Sequence, residues 1–376
     1  MNAPLNPFPL YGYFGPDYIC DRHKEKDTVV SALRNGRNIT LYAPRRIGKT
    51  ALIHHVFHHL PKWNCVYIDL QESFNFRDFT NSLLGAILTA VAGNKPLHKK
   101  MQDWLLTMRP VMSANPHSGA MQLEVEFRSE QQQRTSVREA LRLLDQSGPG
   151  VIALDEFQEI HSWDIEPMSI EGWLRSEIQG LRNLRFLFAG SQMHLMSEMF
   201  TSVKRPFYAS TQSVVIGKIN SAEYANFIQK QFKSYNCKIG QEETKAILDW
   251  ADGNTYNVQL LCNRIFSVAR KSVTFEIINQ SILEIYEGNK LSFIALSNSM
   301  TKHQWKLLTA IAIEDKVFRP TAKEFISKYE LGTSASVLRA LGYLTARELV
   351  YQYSDQEGRH YYEIYDIVLM RWLQKK

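Results

Sequence analysis

The chain has 376 residues, of which 44% are hydrophobic and 11% aromatic, and its formal net charge is +6. That length suits about two or three domains, and the composition excludes a disordered chain, while no apolar run is long enough for a membrane span. The mild positive charge permits a nucleic-acid partner without arguing for one. Four widely separated cysteines (Cys20, Cys65, Cys237, Cys262) exclude a zinc site or a disulfide framework and suit a reducing, cytoplasmic setting.

The first residues, Met1-Asn2-Ala3-Pro4-Leu5-Asn6-Pro7-Phe8-Pro9, are Pro-rich and lack the basic head and apolar stretch of a secretory signal. After Phe14 to Arg22 a helical stretch runs through Leu33. An apolar run, Ile39-Thr40-Leu41-Tyr42, then leads into Ala43-Pro44-Arg45-Arg46-Ile47-Gly48-Lys49-Thr50 and a helix with apolar residues at helical spacing. Strand, loop and helix with Gly-Lys-Thr at the turn is the layout of a nucleotide phosphate loop. Residues Ala43 to Ala51 would cradle the β-phosphate through their backbone N–H groups, Pro44 having none, with Lys49 reaching the β- and γ-phosphates and Thr50 offering its hydroxyl to Mg²⁺. The pattern asks for Gly at position 43. Ala43 stands there, so the loop must open with ordinary backbone angles.

Cys65 to Leu70 reads as a second buried strand, and Phe79 to Val91 as a helix. From Lys95 to about Phe127 the pattern degrades around Met108 to Pro116, and the alternation in Met121 to Phe127 suggests that this insert forms a β-hairpin with an exposed strand. A polar amphipathic helix follows from Ser129 to Gln146. Val151 to Leu154, Leu184 to Ala189 and Ser213 to Ile216 are three further buried strands, and strands alternating with helices imply a parallel sheet covered on both faces.

The third strand closes on Asp155-Glu156, which places two acids at the carboxyl edge of the sheet, where ligands bind. Asp155 would hold Mg²⁺ and Glu156 would orient and polarise the attacking water. Asp69, also at a strand end, is either a lesser member of the water or metal shell or a solvated acid. Ser191 or Gln192, after the fourth strand, could report the γ-phosphate; alternatively Ser191 is a helix N-cap. Arg205, in the loop before the last strand, would either stabilise the transition-state charge, in cis or for a neighbouring subunit, or stand as a surface arginine.

From Ser221 to Gly288 the period is helical, with breaks near Cys237-Lys238-Ile239-Gly240, Asp252-Gly253 and Ser272-Val273, which describes a four-helix domain. In the tail, helices are expected over Lys302 to Ile313, Thr321 to Leu331 (capped by Thr321) and Thr333 to Leu344, with only Gly332 joining the last two. A hairpin of Leu349 to Tyr353 and His360 to Tyr365, turning through Ser354 to Arg359, precedes a helix capped by Asp366. This order is a winged helix. Its third helix would present Ser334, Ser336, Val337 and Arg339, with Arg359 and His360 on the wing, which is few cations for a duplex reader.

The motifs Ala43 to Thr50, Leu154-Asp155-Glu156-Phe157-Gln158 and Phe188-Ala189-Gly190-Ser191-Gln192 together resemble the prokaryotic archaeal-type ATPases, which belong with the AAA+-related STAND group of P-loop NTPases. The resemblance covers nearly the whole chain. It implies an α/β fold with a parallel sheet of order 5-1-4-3-2, a helical lid domain, a C-terminal winged-helix domain, and a hairpin-like insert before the Asp155 strand. It also implies that Tyr18-Ile19-Cys20-Asp21-Arg22 packs near the adenine, with Asp21-Arg22 where relatives usually read Gly-Arg. Two further departures appear: Tyr208-Ala209-Ser210 where relatives carry Gly-Arg, and Thr255 where the lid motif has Pro. With Ala43 they make slow turnover the expectation.

The domains expected are an ATPase domain over 1–218 (insert about 95–128), a helical lid over 219–290 and a winged helix over 297–376. The function expected is Mg²⁺-dependent hydrolysis of ATP to ADP by a nucleotide-controlled conformational switch, with Lys49, Glu156, Arg205 and Ser191 as catalytic residues. The alternative is a DNA-binding or scaffold protein whose nucleotide site is slow or vestigial. Expected partners are ATP and ADP, DNA through the winged helix, and a protein partner or a second copy of the chain.

Overall fold

Five short runs of apolar residues line up in one sheet in the computed structural model, which describes residues 4–108, 111–114, 121–163, 166–355 and 357–375. The strands are β1 (Ile39–Tyr42), β2 (Asn64–Asp69), β5 (Gly150–Asp155), β6 (Leu184–Gly190) and β7 (Gln212–Val215). They pair in the order β2-β5-β6-β1-β7, every neighbour parallel. Counted along the chain this is 2-3-4-1-5, the expected order read from the opposite edge. All residues of β1 and β5 are buried, as both-faces-covered parallel strands must be.

Side chains alternate across the sheet and feed two cores. Val151 and Ala153 of β5 join Leu187 and Ala189 of β6 on one face, under α1 (His23–Arg34) and α2 (Lys49–His58). Ile152, Leu154, Phe186 and Phe188 point to the other face, under α3 (Phe76–Ala90) and α5 (Glu130–Gln146). The helix starts follow their caps: Asn75 accepts from Asp78 N, so α3 begins three residues before the expected Phe79, and Ser129 accepts from Gln132 N at the head of α5.

The insert differs from its sequence reading. Lys95–Leu106 is a regular helix, α4, capped by Asn94 with Leu97, Met101 and Leu105 buried. Beyond it β3 (Val111–Ala114) and β4 (Met121–Glu124) pair antiparallel, Val111 opposite Glu124, which is the expected hairpin. Residues 109–110 and 115–120 of that stretch lie outside the described residues. α6 (Pro167–Gln179) and α7 (Met193–Thr201) complete this unit, Gly12–Lys218.

The second unit holds Ile219–Lys376 together with Asn2–Tyr11. The N-terminal segment, expected with the ATPase domain, thus packs elsewhere. Phe8 is fully buried with its ring 4.8 Å from that of Phe232, and Asn6 Nδ2 and Asn263 Nδ2 donate to Asn263 O and Phe8 O. A Pro-rich strip makes few backbone bonds of its own, so an aromatic anchor decides where it lies. The helices α8 (Ser221–Ser234), α9 (Gln241–Trp250), α10 (Thr255–Val268) and α11 (Phe275–Asn298) form the expected bundle. α11 continues past Gly288, and its Phe293 ring sits 5.2 Å from that of Trp372.

The tail is α12 (Lys302–Glu314), α13 (Lys323–Lys328), α14 (Ser334–Ala346), β8 (Val350–Ser354), β9 (His360–Ile364) and α15 (Ile367–Gln374), which is a winged helix. Thr301 and Thr333 form capping boxes, and Asp366 accepts from Leu369 N. Thr321 is not a cap: Ala322 N bonds to Arg319 O, so the chain is still turning through Pro320 there, and α13 starts only at Lys323. Gln356, in the expected wing turn, lies outside the described residues.

Phe188 is 1% exposed, with the rings of Phe157, Phe200 and Phe207 at 4.7, 5.2 and 5.0 Å. Phe188→Ala is expected to cost about 3–5 kcal/mol, read as a lower urea midpoint for the transition of this unit.

Candidate functional site

The register sets the site. Tyr42 of β1 pairs with Gly190 of β6, and Asp69 of β2 pairs with Asp155 of β5, so four strand ends finish along one edge. The loop after β1 opens at Ala43, which is fully buried and keeps an ordinary φ; the left-handed conformations fall on Arg46 (φ 64°) and Gly48 (φ 93°). Gly48 then starts α2 with no side-chain cap and no acid in the first turn. Uncapped first-turn N–H groups and the positive end of the helix dipole suit an anion.

Lys49 is 7% exposed. Its Nζ lies 2.7 Å from Asp155 Oδ1 and 2.5 Å from Glu156 Oε1. Thr50 Oγ1 donates to Asp155 Oδ2 at 2.8 Å, and Tyr67 OH donates to the same oxygen at 3.0 Å. Burial and the adjacent Asp155 and Asp69 charges raise the Tyr67 phenol, which keeps it a donor. A hydroxyl and a carboxylate oxygen meeting at one point, beside an ammonium and an uncapped helix start, fit a phosphate chain and a hard cation.

Glu156 sits in the left-handed region (φ 50°, ψ 45°), where β5 turns into the 3₁₀ segment Phe157–Ser162. Its Oε2 accepts from Ser191 Oγ at 2.6 Å, Gln158 Nε2 at 2.7 Å and Ser191 N at 3.1 Å. Arg45 Nε donates to Ser191 Oγ at 3.1 Å. Burial pushes the Glu156 carboxyl up, but the Lys49 charge and the bonds from Gln158, Lys49 and Ser191 outweigh it, and the net shift is downward. Such backbone strain beside two acids is usual at working sites.

The structure thus brings Arg45, Lys49, Thr50, Asp155, Glu156 and Ser191 into one hydrogen-bonded network. Ser191 does not cap α7, whose N-cap is Gln192, without a side-chain bond. Asp69 caps the short turn Leu70–Glu72 by accepting from Gln71 N; burial, then the Asp155 and Glu156 charges against that bond, raises its carboxyl. Arg205 is neither a surface residue nor a member of the network. It is 11% exposed at the side chain, and its Nη2 pairs with Glu171 Oε1 at 3.0 Å and bonds His161 Nε2.

Tyr67 and Gln158 escaped the sequence reading as site members, and Arg22, expected near the adenine, holds the loop. Tyr67, two residues before Asp69, faces the same strand-end acid, a position the strand pattern alone could have flagged. Arg22 is 4% exposed and donates through Nη2 to Ile47 O of the loop (3.2 Å) and Gly217 O (2.8 Å), so it holds the loop to the end of β7.

No curated protein matches the sequence. Residues 291–375 match the family model described as "Probable winged helix domain". Among solved structures, the chain is similar to a Walker-type ATPase of Pyrococcus abyssi, with TM-score 0.66 and 16% identity over 98% of this chain and 99% of that one. It is also similar to the ORC2 protein of Aeropyrum pernix in ADPNP–ADP complexes, at TM-score 0.59 and 13% identity over 98% and 95% of the two chains. The ORC1 protein of Aeropyrum pernix in complex with DNA matches at TM-score 0.55 and 13% identity over 99% and 96%. At these identities the likeness establishes the fold alone: a five-stranded parallel sheet of the P-loop type with a helical bundle and a C-terminal winged helix. Among the described residues no helix is long and apolar enough to cross a membrane.

A carboxyl whose folded pKa is depressed contributes stability that is present above its unfolded pKa and lost as pH falls through the folded value. Glu156→Gln lacks that contribution. The difference in Tm between wild type and this variant is expected to shrink as pH falls below about 4.3, followed by thermal melts across a pH series.

Proposed function

We propose that the protein hydrolyses ATP slowly with Mg²⁺ and uses the bound nucleotide as a conformational switch. The observation that carries this reading is the single ammonium of Lys49 shared by Asp155 and Glu156 at the end of an uncapped phosphate-loop helix. Mg²⁺ supplies charge neutralisation at the phosphates when bound, and Thr50 Oγ1 and Asp155 Oδ2 are the oxygens suited to hold it. The first-turn N–H groups of α2 bind phosphate oxygens. Lys49 exchanges a carboxylate for a phosphate, and Glu156 then orients water and accepts its proton. Phosphoryl transfer asks for this positioning and charge rather than covalent chemistry.

The same exchange makes a switch. A ligand shifts a conformational equilibrium only by its differential contacts, and here the arriving phosphate competes directly with Glu156 for Lys49. Glu156 is bonded to Ser191 at the head of α7, and Ser191 to Arg45 of the loop, so the change of partner is felt at β6 and in the loop together. The sequence resemblance supports a place among archaeal-type ATPases of the STAND group, in a cytoplasmic setting. Ala43, Thr255 and Ser210 at non-standard positions, and Arg205 committed to Glu171, support slow turnover.

A second reading, binding of duplex DNA, is favoured by the winged helix and by the similar ORC1 protein's complex with DNA. Against it, the exposed face of α14 offers Ser334, Ala335 and Leu338 beside one cation, Arg339. On the wing, Arg359 is paired with Asp355 at 2.7 Å and Glu357 at 3.2 Å. We therefore place DNA second. Fluorescence anisotropy with random duplex at near-physiological salt is expected to give a Kd no tighter than about 1 μM; nanomolar, nucleotide-independent binding would reverse the order.

Lys49→Ala is expected to abolish binding of a fluorescent ATP analogue. Glu156→Gln should keep ATP bound while hydrolysing it at least about 100-fold more slowly, and wild-type turnover in that variant would sink the mechanism. Size-exclusion chromatography should give different elution with ADP and with a non-hydrolysable ATP analogue; identical profiles would remove the switch.

A further inference from the structure

We infer that Gln158 is a positioning residue that decides which oxygen of Glu156 acts on water, and that Gly190 is glycine because Gln158 needs its space. The inference rests on the hydrolysis proposed above. Three donors converge on Glu156 Oε2: Ser191 Oγ at 2.6 Å, Gln158 Nε2 at 2.7 Å and Ser191 N at 3.1 Å. A carboxylate oxygen has two lone pairs, so these donors saturate it. Oε1 faces the Lys49 ammonium at 2.5 Å. Once Lys49 turns to a phosphate, Oε1 is the oxygen free to take a proton from water, while Oε2 stays anchored.

Gln158 is held for this task at a cost. It is 2% exposed, and its Oε1 is buried without a hydrogen-bond partner. A buried unpaired carbonyl is unfavourable, and turning the amide over would aim that carbonyl at the Glu156 carboxylate instead. The donation to Glu156 therefore fixes the rotamer. Gly190 lies across from it, at the end of β6. Its φ is not in the left-handed region, so the requirement there is space. A Cβ at this position would overlap Gln158 Oε1 and come within 2.6 Å of Met196 Cγ and Sδ. An alanine would push the amide off the carboxylate.

Gln158→Met keeps the volume and removes the donor. It is expected to lower kcat about 10- to 100-fold, with the Kd for a fluorescent ADP analogue within about twofold of wild type. The loss therefore falls on kcat and not on binding, whereas a merely space-filling Gln158 would lose both together or neither. Gly190→Ala should reproduce the slower turnover with ADP binding retained. Wild-type kcat in folded Gln158→Met overturns the assignment. Should neither variant fold, Gln158→Leu, which also removes the donor, takes their place, and wild-type kcat in that folded variant overturns the assignment. A wild type that does not hydrolyse ATP overturns the ATPase reading and this assignment with it, whereas hydrolysis indifferent to Gln158 overturns the assignment alone.

Discussion

Two carboxylates delivered by one buried strand to the same edge need a cation placed between them. Asp155 is 2% exposed, and Lys49 is the ammonium that answers both acids. β1 and β5 are not neighbours; β6 runs between them. The loop after β1 therefore has to project its lysine across two strand spacings of about 4.8 Å each, and a flexible four-carbon stem with a point charge can do so. The parallel register, the left-handed Gly48 and the full burial of β1 all serve that reach. A slip of one residue in β6 would move Gly190 and Ser191 away from Glu156, and the network would not close.

Much of the fold was legible because it rests on local rules. Runs such as Val151 to Leu154 are apolar throughout, as only strands covered on both faces are. Thr333, Asp366 and Ser129 announce helix starts by side-chain chemistry that acts over three residues. α4 was missed because its core positions, Leu97, Met101 and Leu105, recur only every fourth residue within a strongly basic stretch, and the Asn94 cap with Pro96 in the first turn was the signal available. Thr321 was misread because a Thr before a helical pattern also suits the turn through Pro320 that the chain makes there.

The candidate site was legible only along the chain. The loop and the Asp155-Glu156 pair are contiguous motifs, but who bonds whom depends on strand order. Tyr67, Gln158 and Arg22 acquire their roles from neighbours brought by the sheet and the loop. Arg205 shows the converse. Glu171 is fully buried and needs a partner: Arg205 supplies the countercharge from the α7–β7 loop, and His161, from the segment that follows Glu156, bonds Arg205. Nothing in the spacing of Glu171 on an amphipathic helix distinguishes it from a solvated glutamate. A loop that reads in sequence as free to donate an arginine is in fact clamped to the segment that follows the two site acids.

α11 has a mechanical consequence. Its 24 residues form one uninterrupted helix whose Tyr286 lies beside Trp250 of the bundle and whose Phe293 packs against Trp372 of the winged helix. Arg371 of α15 also donates to the Asp249 and Trp250 carbonyls at the end of α9. A helix of that length is a rod of about 36 Å, with Tyr286 at its middle and Phe293 about 10 Å further along. It works as a shaft rather than a tether. One continuous helix and the Arg371 bonds join the bundle to the winged helix, so a displacement of the bundle is carried into the wing as a body instead of being absorbed in a linker.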